Sequence, residues 1–575
     1  MAAGELSPIH ASDPPLPPKE KKRSIRWLPP FEAGREGDRA GGVQNPRIIV
    51  SGFYNMKALL IWPNFPNSFW SYQETLNLAG LRSTNPPLGL ITVAAMLPQD
   101  WEIRFADRNV RKETEADWDW CDIVIISAMI VQKADFRALI QKGVARGKKV
   151  AVGGPFPTSV PEFALESGAH YLILDEGECT IPMFLEALKR GEERGIFRSP
   201  EKPDVTKTPI PRFDLLDSNA YLAITVQFSR GCPFQCEFCD IINLYGRKPR
   251  TKTPEQMLAE LEVLYQMGWH RYVFIVDDNF IGNKRNAKVF LKALIPWMEE
   301  RNYPFILLTE ASLNLAEDEE MIELMVKAGF TIVFMGIETP DTDSLLGIHK
   351  TQNTRQSLVE SCHKITKAGL QIMSGFIIGF DNERPGAGKR IQEFIQETGI
   401  PQGQFSLLQA LQNTQMWTRL KQEGRLMDGL GTFHQGAIMN FVPTRPVEEI
   451  VAEYIDAFWN IYEPMPYLKR TFRHFMMMNG WRGRWMPKIS WKELRLFSAV
   501  CWRQGVMRST RWRFWWQMVA IAFSKPRLFY DYMTDLGVGE HFFNYRHEVK
   551  AQLLQQLETI KQAKQEQVQE PIAVG

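Results

Sequence analysis

Cysteine is scarce in this chain of 575 residues, with seven in all. The seven form no paired framework, and no charged, apolar and small-residue leader opens the sequence. A disulfide scaffold is therefore excluded, and a reducing, cytoplasmic setting is expected. Charge of one sign is lacking too: a formal net charge of +2 leaves no electrostatic footprint for nucleic acid, and none is expected as a partner. The apolar stretch Trp512 to Phe523 (WRFWWQMVAIAF) is too short to span a bilayer. No GxGxxG follows the first apolar strand, which argues against a dinucleotide. The remaining composition, 44% hydrophobic and 23% charged, suits a globular protein of two or three domains.

Three of the seven cysteines stand together. Arg230-Gly231-Cys232-Pro233-Phe234-Gln235-Cys236-Glu237-Phe238-Cys239 is a CxxxCxxC loop directly after the apolar run Leu222 to Phe228. At this cysteine content the pattern arises by chance in about one chain in a thousand. Thiolates at that spacing, on a loop leaving a strand, can converge on one iron–sulfur cube and leave its fourth iron without a protein ligand. A structural zinc would want a second knuckle, and none follows. A redox pair made of Cys236 and Cys239 would leave Cys232 unexplained.

Taken in order, the chain divides into six stretches. Residues 1–55 are rich in proline and lysine and are expected to be a disordered basic extension. Met56 begins a strand so abruptly that it is a candidate initiator. From 56 to 190, short apolar runs (Ala58 to Trp62, Glu102 to Ala106, Ile123 to Ser127, Lys149 to Val152, Tyr171 to Leu174) alternate with helical patterns. That alternation predicts an α/β fold, a Rossmann-like doubly wound parallel sheet whose ligand sits beyond the carboxyl ends of the strands. The loops there hold Met129, Gly153-Gly154-Pro155 and Glu176-Gly177. A charged, proline-rich linker is expected at 191–214. Residues 215–441 repeat the β/α pattern six times and predict a partial (β/α)6 TIM-type barrel, with the cysteine loop at the carboxyl end of its first strand. The later strand ends carry Asp277-Asp278-Asn279, Glu310, Glu338 and the glycines Gly375 and Gly379. A mostly helical region dense in tryptophan and arginine is expected at 442–550, and a fraying tail at 551–575.

CxxxCxxC with an aromatic, Phe238, before the last cysteine resembles the hallmark of radical S-adenosylmethionine (SAM) enzymes. The resemblance implies that Cys232, Cys236 and Cys239 hold a 4Fe-4S cluster and that the open iron takes SAM. It implies SAM-binding roles for Asp277, Asp278 and Asn279, which stand where the family usually carries a Gly-Gly-Glu type segment. It extends to Glu310, Gly375 and Gly379, and for Glu338 a helix cap or a pairing with Lys350 is an equal alternative. A Rossmann-like domain just before such a core looks like the cobalamin-binding domain of the cobalamin-dependent branch, near the hopanoid C-methylases and the anaerobic magnesium-protoporphyrin ester cyclase. Pro86-Pro87-Leu88-Gly89-Leu90, Gly153-Gly154-Pro155 and Glu176-Gly177-Glu178 are similar to segments of that branch, although the DxHxxG ligand motif of other cobalamin proteins is absent. Where relatives often read Thr-Pro-Leu after the sixth strand, this chain has Asn413-Thr414-Gln415-Met416-Trp417.

Family chemistry then implies an enzyme that cleaves SAM to a 5′-deoxyadenosyl radical and methylates an unactivated carbon of a hydrophobic substrate, fed by an electron donor of flavodoxin or ferredoxin type. The rivals are radical oxidation or cyclisation without methyl transfer, and a non-catalytic iron–sulfur protein. A methylthiotransferase would need a second cysteine triad, which Cys121 and Cys179 do not supply. For the aromatic, cationic C-terminal region two readings stand: a helical cap over the barrel mouth, or a face for peripheral membrane contact.

Overall fold

The computed structural model describes residues 55–427, 436–479 and 491–569, with side chains to 562. The proline-rich extension before residue 55 lies outside the described residues, as do 570–575 of the expected tail.

The first sheet has six parallel strands: β1 (Lys57–Trp62), β2 (Glu102–Asp107), β3 (Ile123–Ser127), β4 (Lys149–Gly153), β5 (Tyr171–Ile173) and β6 (Gly195–Phe197), in the order β2-β1-β3-β4-β5-β6. Such strands are covered by helices on both faces, which is why they read as unbroken apolar runs. In β1, Leu59 and Ile61 pack with Trp118 and Phe136 on one face, while Ala58 and Leu60 pack with Leu90 and Phe184 on the other. The strand order reverses at β1, and the crevice a doubly wound sheet offers at such a point opens between the loops after β1 and β3. The edge strand β6 falls inside the stretch read as linker. It has three residues, of which Ile196 is exposed and Phe197 alone is buried, too little for a strand pattern to register.

The second sheet follows chain order: β7 (Ala223–Val226), β10 (Tyr272–Ile275), β11 (Ile306–Glu310), β12 (Phe330–Glu338), β13 (Gln371–Ile378) and β14 (Gln402–Leu407), all parallel. Between β7 and β10 a two-residue antiparallel pair, β8 (Ser229–Arg230) and β9 (Arg250–Thr251), closes the base of the cysteine loop. The intervening helices start and stop where local chemistry directs. Pro254 opens one behind a Thr253–Gln256 capping box, and Gly329 and Gly369 end two others in the left-handed conformation.

Of the two readings of the C-terminal region, the cap over the barrel mouth does not hold: its helices reach the opposite end. Tyr530 packs with Ala223, Tyr272 and Ile306, the first residues of β7, β10 and β11, and Asp535 accepts hydrogen bonds from Gln371 and Gln402, the first residues of β13 and β14. The start of the helix Phe529–Gln569, with Phe497 of the helix Trp491–Trp502, thus closes the amino-terminal floor, while Val447–Ile461 packs along the barrel flank on β14 and the helix Ala387–Thr398. The helix Phe529–Gln569 is 41 residues long and does not fray at 551, because Val549, Leu553 and Leu557 continue a buried stripe at helical spacing.

Gly154 sits at φ +94° and ψ −177°, a region open essentially to glycine, and a Cβ there would stand 2.5 Å from the Ser127 Oγ. Gly154→Ala is expected to destabilise the protein by about 1–3 kcal/mol. A lowered midpoint of urea unfolding with unchanged iron content would show it, and an unchanged midpoint would contradict it.

Candidate active site

The cysteine loop is held by the acidic segment after β10. Asp277 is buried, and its carboxylate accepts from the backbone N–H of Phe228 (2.7 Å) and Ser229 (2.9 Å) and from the Ser229 hydroxyl (2.7 Å). Asp278 accepts from the Gly231 N–H at 2.8 Å. Gly231 turns the chain at φ +97°, where a Cβ would meet the Gly246 carbonyl at 2.7 Å. Asp277 therefore aims the loop through three accepted hydrogen bonds, which makes it a support of the cysteine loop. Asp278 also lines the open space described below.

Donors gather around the thiols. Asn279 Nδ2 points at the Cys232 Sγ (3.9 Å), and Gln352 Nε2 at the Cys236 Sγ (3.7 Å). Lys350 is buried between the Glu338 carboxylate, which it pairs with, and the Phe238 ring, 5.9 Å away. Burial lowers the Lys350 pKa, but Glu338 and Cys236 more than offset this, and the net shift is upward. Burial pushes the Cys232 and Cys239 thiols up. Two amide donors aimed at sulfur, with the Lys350 ammonium within electrostatic reach of Cys236 and Cys239, are what anionic, iron-bound thiolates call for, so the donor set fits a cluster.

Glu338 is thus the ion-pair partner of Lys350, the alternative its sequence position left open, held at φ +67° beside a register shift in β12. Gly375 faces the Phe334 ring, and Gly379, at φ +107°, donates its N–H to Glu383 and abuts Met439. Both glycines are explained by protein packing. Asn413 and Met416 bind the cysteine loop instead of lining the mouth: Asn243 donates to the Asn413 carbonyl, and the Met416 N–H to that of Glu237.

A cavity of about 1010 Å³ joins the two sheets. Its first-domain wall carries Met129, Gly153, Gly154, Pro155, Glu176 and Gly177, and its barrel wall carries Asp278 and Glu310. The Glu176 carboxylate is taken by Arg230 (2.9 Å) and Arg250 (2.8 Å), and Arg230 also reaches Glu178 (2.8 Å). That network locks the loop after β5 to the base of the cysteine loop. Gly153 and Gly154 are glycines because of protein neighbours, Ile173 and Ser127. Gly89 is different: it lines the cavity, and a Cβ there would meet nothing within 4 Å. This open shelf, with the size of the cavity and the loops of the switch point around it, fits a large planar cofactor such as cobalamin.

Glu310 faces the same space, and burial, then the charges of Asp278 and Asp277, push its pKa up to about 8. Carboxyl groups crowded and buried in this way gain from a cationic ligand such as the sulfonium and ammonium of SAM. Sequence reasoning missed Gln352, which lies in a short 3-10 turn with no motif around it.

Replacing Cys232, Cys236 or Cys239 with Ala is expected to abolish iron binding while leaving bound cobalt. Gly89→Leu, which raises helix propensity and so preserves the fold, is expected to do the reverse. Metal analysis of anaerobically reconstituted protein checks both, and unchanged cobalt in Gly89→Leu would count against the shelf.

Comparison with known proteins agrees with this geometry. The family model for the radical SAM superfamily matches residues 226–395, that for a B12 binding domain matches 75–185, and a domain of unknown function matches 414–555. An uncharacterized methyltransferase of Synechocystis sp. is 54% identical over 520 residues, 90% of this chain and 97% of the relative. The hopanoid C-2 methylase of Rhodopseudomonas palustris is 33% identical over 478 residues, 81% of this chain and 89% of that one. The cobalamin-dependent SAM radical enzyme OxsB with aqua-cobalamin bound shares the fold at TM-score 0.53 and 16% identity, covering 88% of this chain and 80% of its own. TsrM from Kitasatospora setae, with cobalamin and a 4Fe-4S cluster bound, does so at TM-score 0.53 and 13% identity, over 87% and 100%. The chain belongs to the cobalamin-dependent radical SAM methyltransferase family, whose cofactors are a 4Fe-4S cluster, SAM and cobalamin.

Proposed function

We propose that the protein C-methylates an unactivated carbon of a hydrophobic, lipid-like molecule. The observation that carries this reading is the shared cavity: one end is bounded by the loops of the first sheet, the middle by the acidic wall, and the barrel interior beyond by Trp70, Leu222, Phe274, Phe334 and Met373. Those side chains offer an apolar body room and exclude water, and the hopanoid C-2 methylase among the relatives acts on a lipid of that kind. When bound, the cluster, SAM and cobalamin supply the electron, the hydrogen-abstracting radical and the methyl group. The chain's own work is positional. Asp277 and Asp278 aim the cysteine loop, Arg230 fixes the first domain against it, Asn279 and Gln352 face its sulfurs, and the Lys350 ammonium stands within electrostatic reach of them. The reductant is a small electron donor of flavodoxin or ferredoxin type.

Reconstituted protein given a reductant, SAM with a deuterated methyl group and a lipid fraction containing hopanoids is expected to add one deuterated methyl per product molecule. Formation of 5′-deoxyadenosine with a product lacking the label would favour radical oxidation or cyclisation instead.

The lipid reading extends to the surface. The helix Arg511–Ser524 buries Phe514, Met518 and Ile521 and turns Trp512, Trp516, Val519 and Phe523 outward, Phe523 at 86% exposure. Trp491, Trp502 and Met507 are also exposed, and Arg513 stacks over the Trp516 ring at 4.7 Å. Among the described residues no helix is long and apolar enough to cross a membrane. Aromatics rimmed by arginine suit contact with an anionic bilayer surface. Co-sedimentation with vesicles containing phosphatidylglycerol is expected, weakened roughly tenfold by Trp512→Ser with Phe523→Ser. Equal binding by the double variant would remove the membrane face.

A further inference from the structure

The floor of the barrel chamber holds a carboxyl group that the chemistry at the cysteine loop does not use. Asp535 is 3% exposed on the long helix Phe529–Gln569 and lines the cavity beside Thr534 and Val538. Its two oxygens accept from Gln371 Nε2 (2.8 Å) and Gln402 Nε2 (2.7 Å), and the Gln402 Oε1 accepts from the Tyr72 hydroxyl (3.0 Å). Each carboxyl oxygen has a further lone pair beyond the amide it accepts from. A second cavity of about 50 Å³ adjoins the same group and is lined by Gln371 and Thr331, whose buried hydroxyl has no protein partner. The chamber is thus apolar along its walls and polar at its foot.

A buried carboxyl costs free energy that a leucine at this position would not, and tying the helix to two strands needs no charge. The environment is mixed. Burial raises the Asp535 pKa to about 7, against the pull of Gln371 and Gln402; Asp531 adds to the rise, and Arg470 opposes it. Near neutral pH the group can therefore both accept and donate a hydrogen bond.

Direction follows from the strands. Gln371 and Gln402 open β13 and β14 at the floor, whereas the cysteine loop and Glu310 stand at the carboxyl ends. At ~3.3 Å per residue the length of β14 separates the two levels by roughly 15 Å.

We propose that Asp535, supplied by the C-terminal helical region, is a substrate-positioning residue that receives the hydroxyl end of a mostly apolar substrate. The substrate stands in the barrel with its polar end down, and the carbon presented to the cysteine loop is remote from that hydroxyl. This rests on the lipid-substrate reading and adds orientation and a head-group requirement to it.

The test is photo-crosslinking of the full-length reconstituted protein with three probes: a long-chain alcohol carrying a diazirine next to the hydroxyl, its isomer with the diazirine at the far end, and the first probe with hydrogen in place of hydroxyl. The hydroxyl-proximal probe is expected to label the 530–538 segment and the neighbourhood of Tyr72 roughly tenfold over the residues near Gln227 and Val276, as loss of one buried hydrogen bond would predict. The far-end isomer is expected to reverse the ratio, and the probe without hydroxyl, or Asp535→Leu, to bring it near one. Because the hydrocarbon control uses the unaltered protein, a misfolded Asp535→Leu would not decide the matter. Labelling of the chamber at both ends equally by the alcohol probes overturns the inference and leaves the lipid-substrate reading standing. Absence of label from the chamber, including label confined to the exposed 512–523 helix, overturns both.

Discussion

Arg230 is the residue on which the arrangement turns. It lies between Glu176 and Glu178 of the first domain, is braced by Gln227, and shares Glu176 with Arg250, its partner in the ladder, so that both strands of the short β8 and β9 pair are tied to the loop after β5. A buried pair of this kind adds little net stability over an apolar replacement, but breaking one side leaves an uncompensated charge at a cost of about 3–5 kcal/mol. Its value here is geometric. The carboxyl ends of two parallel sheets are held facing each other, and both sheets present their ligand-binding ends to one space.

That space has a sequence of environments. Open backbone at Gly89 and the switch-point loops stand at one end, the carboxyl groups of Asp278 and Glu310 in the middle, and an apolar barrel below, closed by the C-terminal helices. Each part suits a different chemical partner: a large planar cofactor, a cation, and a hydrophobic body. Their order lets all three meet without crossing bulk water, which radical chemistry requires.

Much of the fold was legible because parallel strands buried on both faces leave unbroken apolar runs, and glycine and proline mark the helix ends between them. Less could be read where the physics is not local. Gly195–Phe197 is too short and too exposed to show as a strand, and Val549, Leu553 and Leu557 carry a buried stripe through a segment whose composition looks like a solvated tail. One of the two readings of the C-terminal helices put them over the barrel mouth, yet Tyr530 and Asp535 reach its floor, since the Arg230 network gives the mouth to the first domain. At the site, the cysteine spacing was plain, and the pairing of Glu338 with Lys350 stood among the readings of that residue, while the hold of Asp277 on the backbone N–H groups of Phe228 and Ser229 was not legible. Gln352 and Asp535 reach their places only through tertiary packing, and no spacing in the sequence marks them.

The account stands on one cavity serving both cofactor-binding regions. Anomalous diffraction at the iron and cobalt edges, from crystals of anaerobically loaded protein, tests this most directly. Iron at the Cys232, Cys236 and Cys239 loop, with cobalt in the adjoining cavity between the shelf at Gly89 and the loops holding Met129 and Gly153 to Pro155, is the predicted result. Cobalt bound outside that cavity, or iron away from the three cysteines, would contradict it.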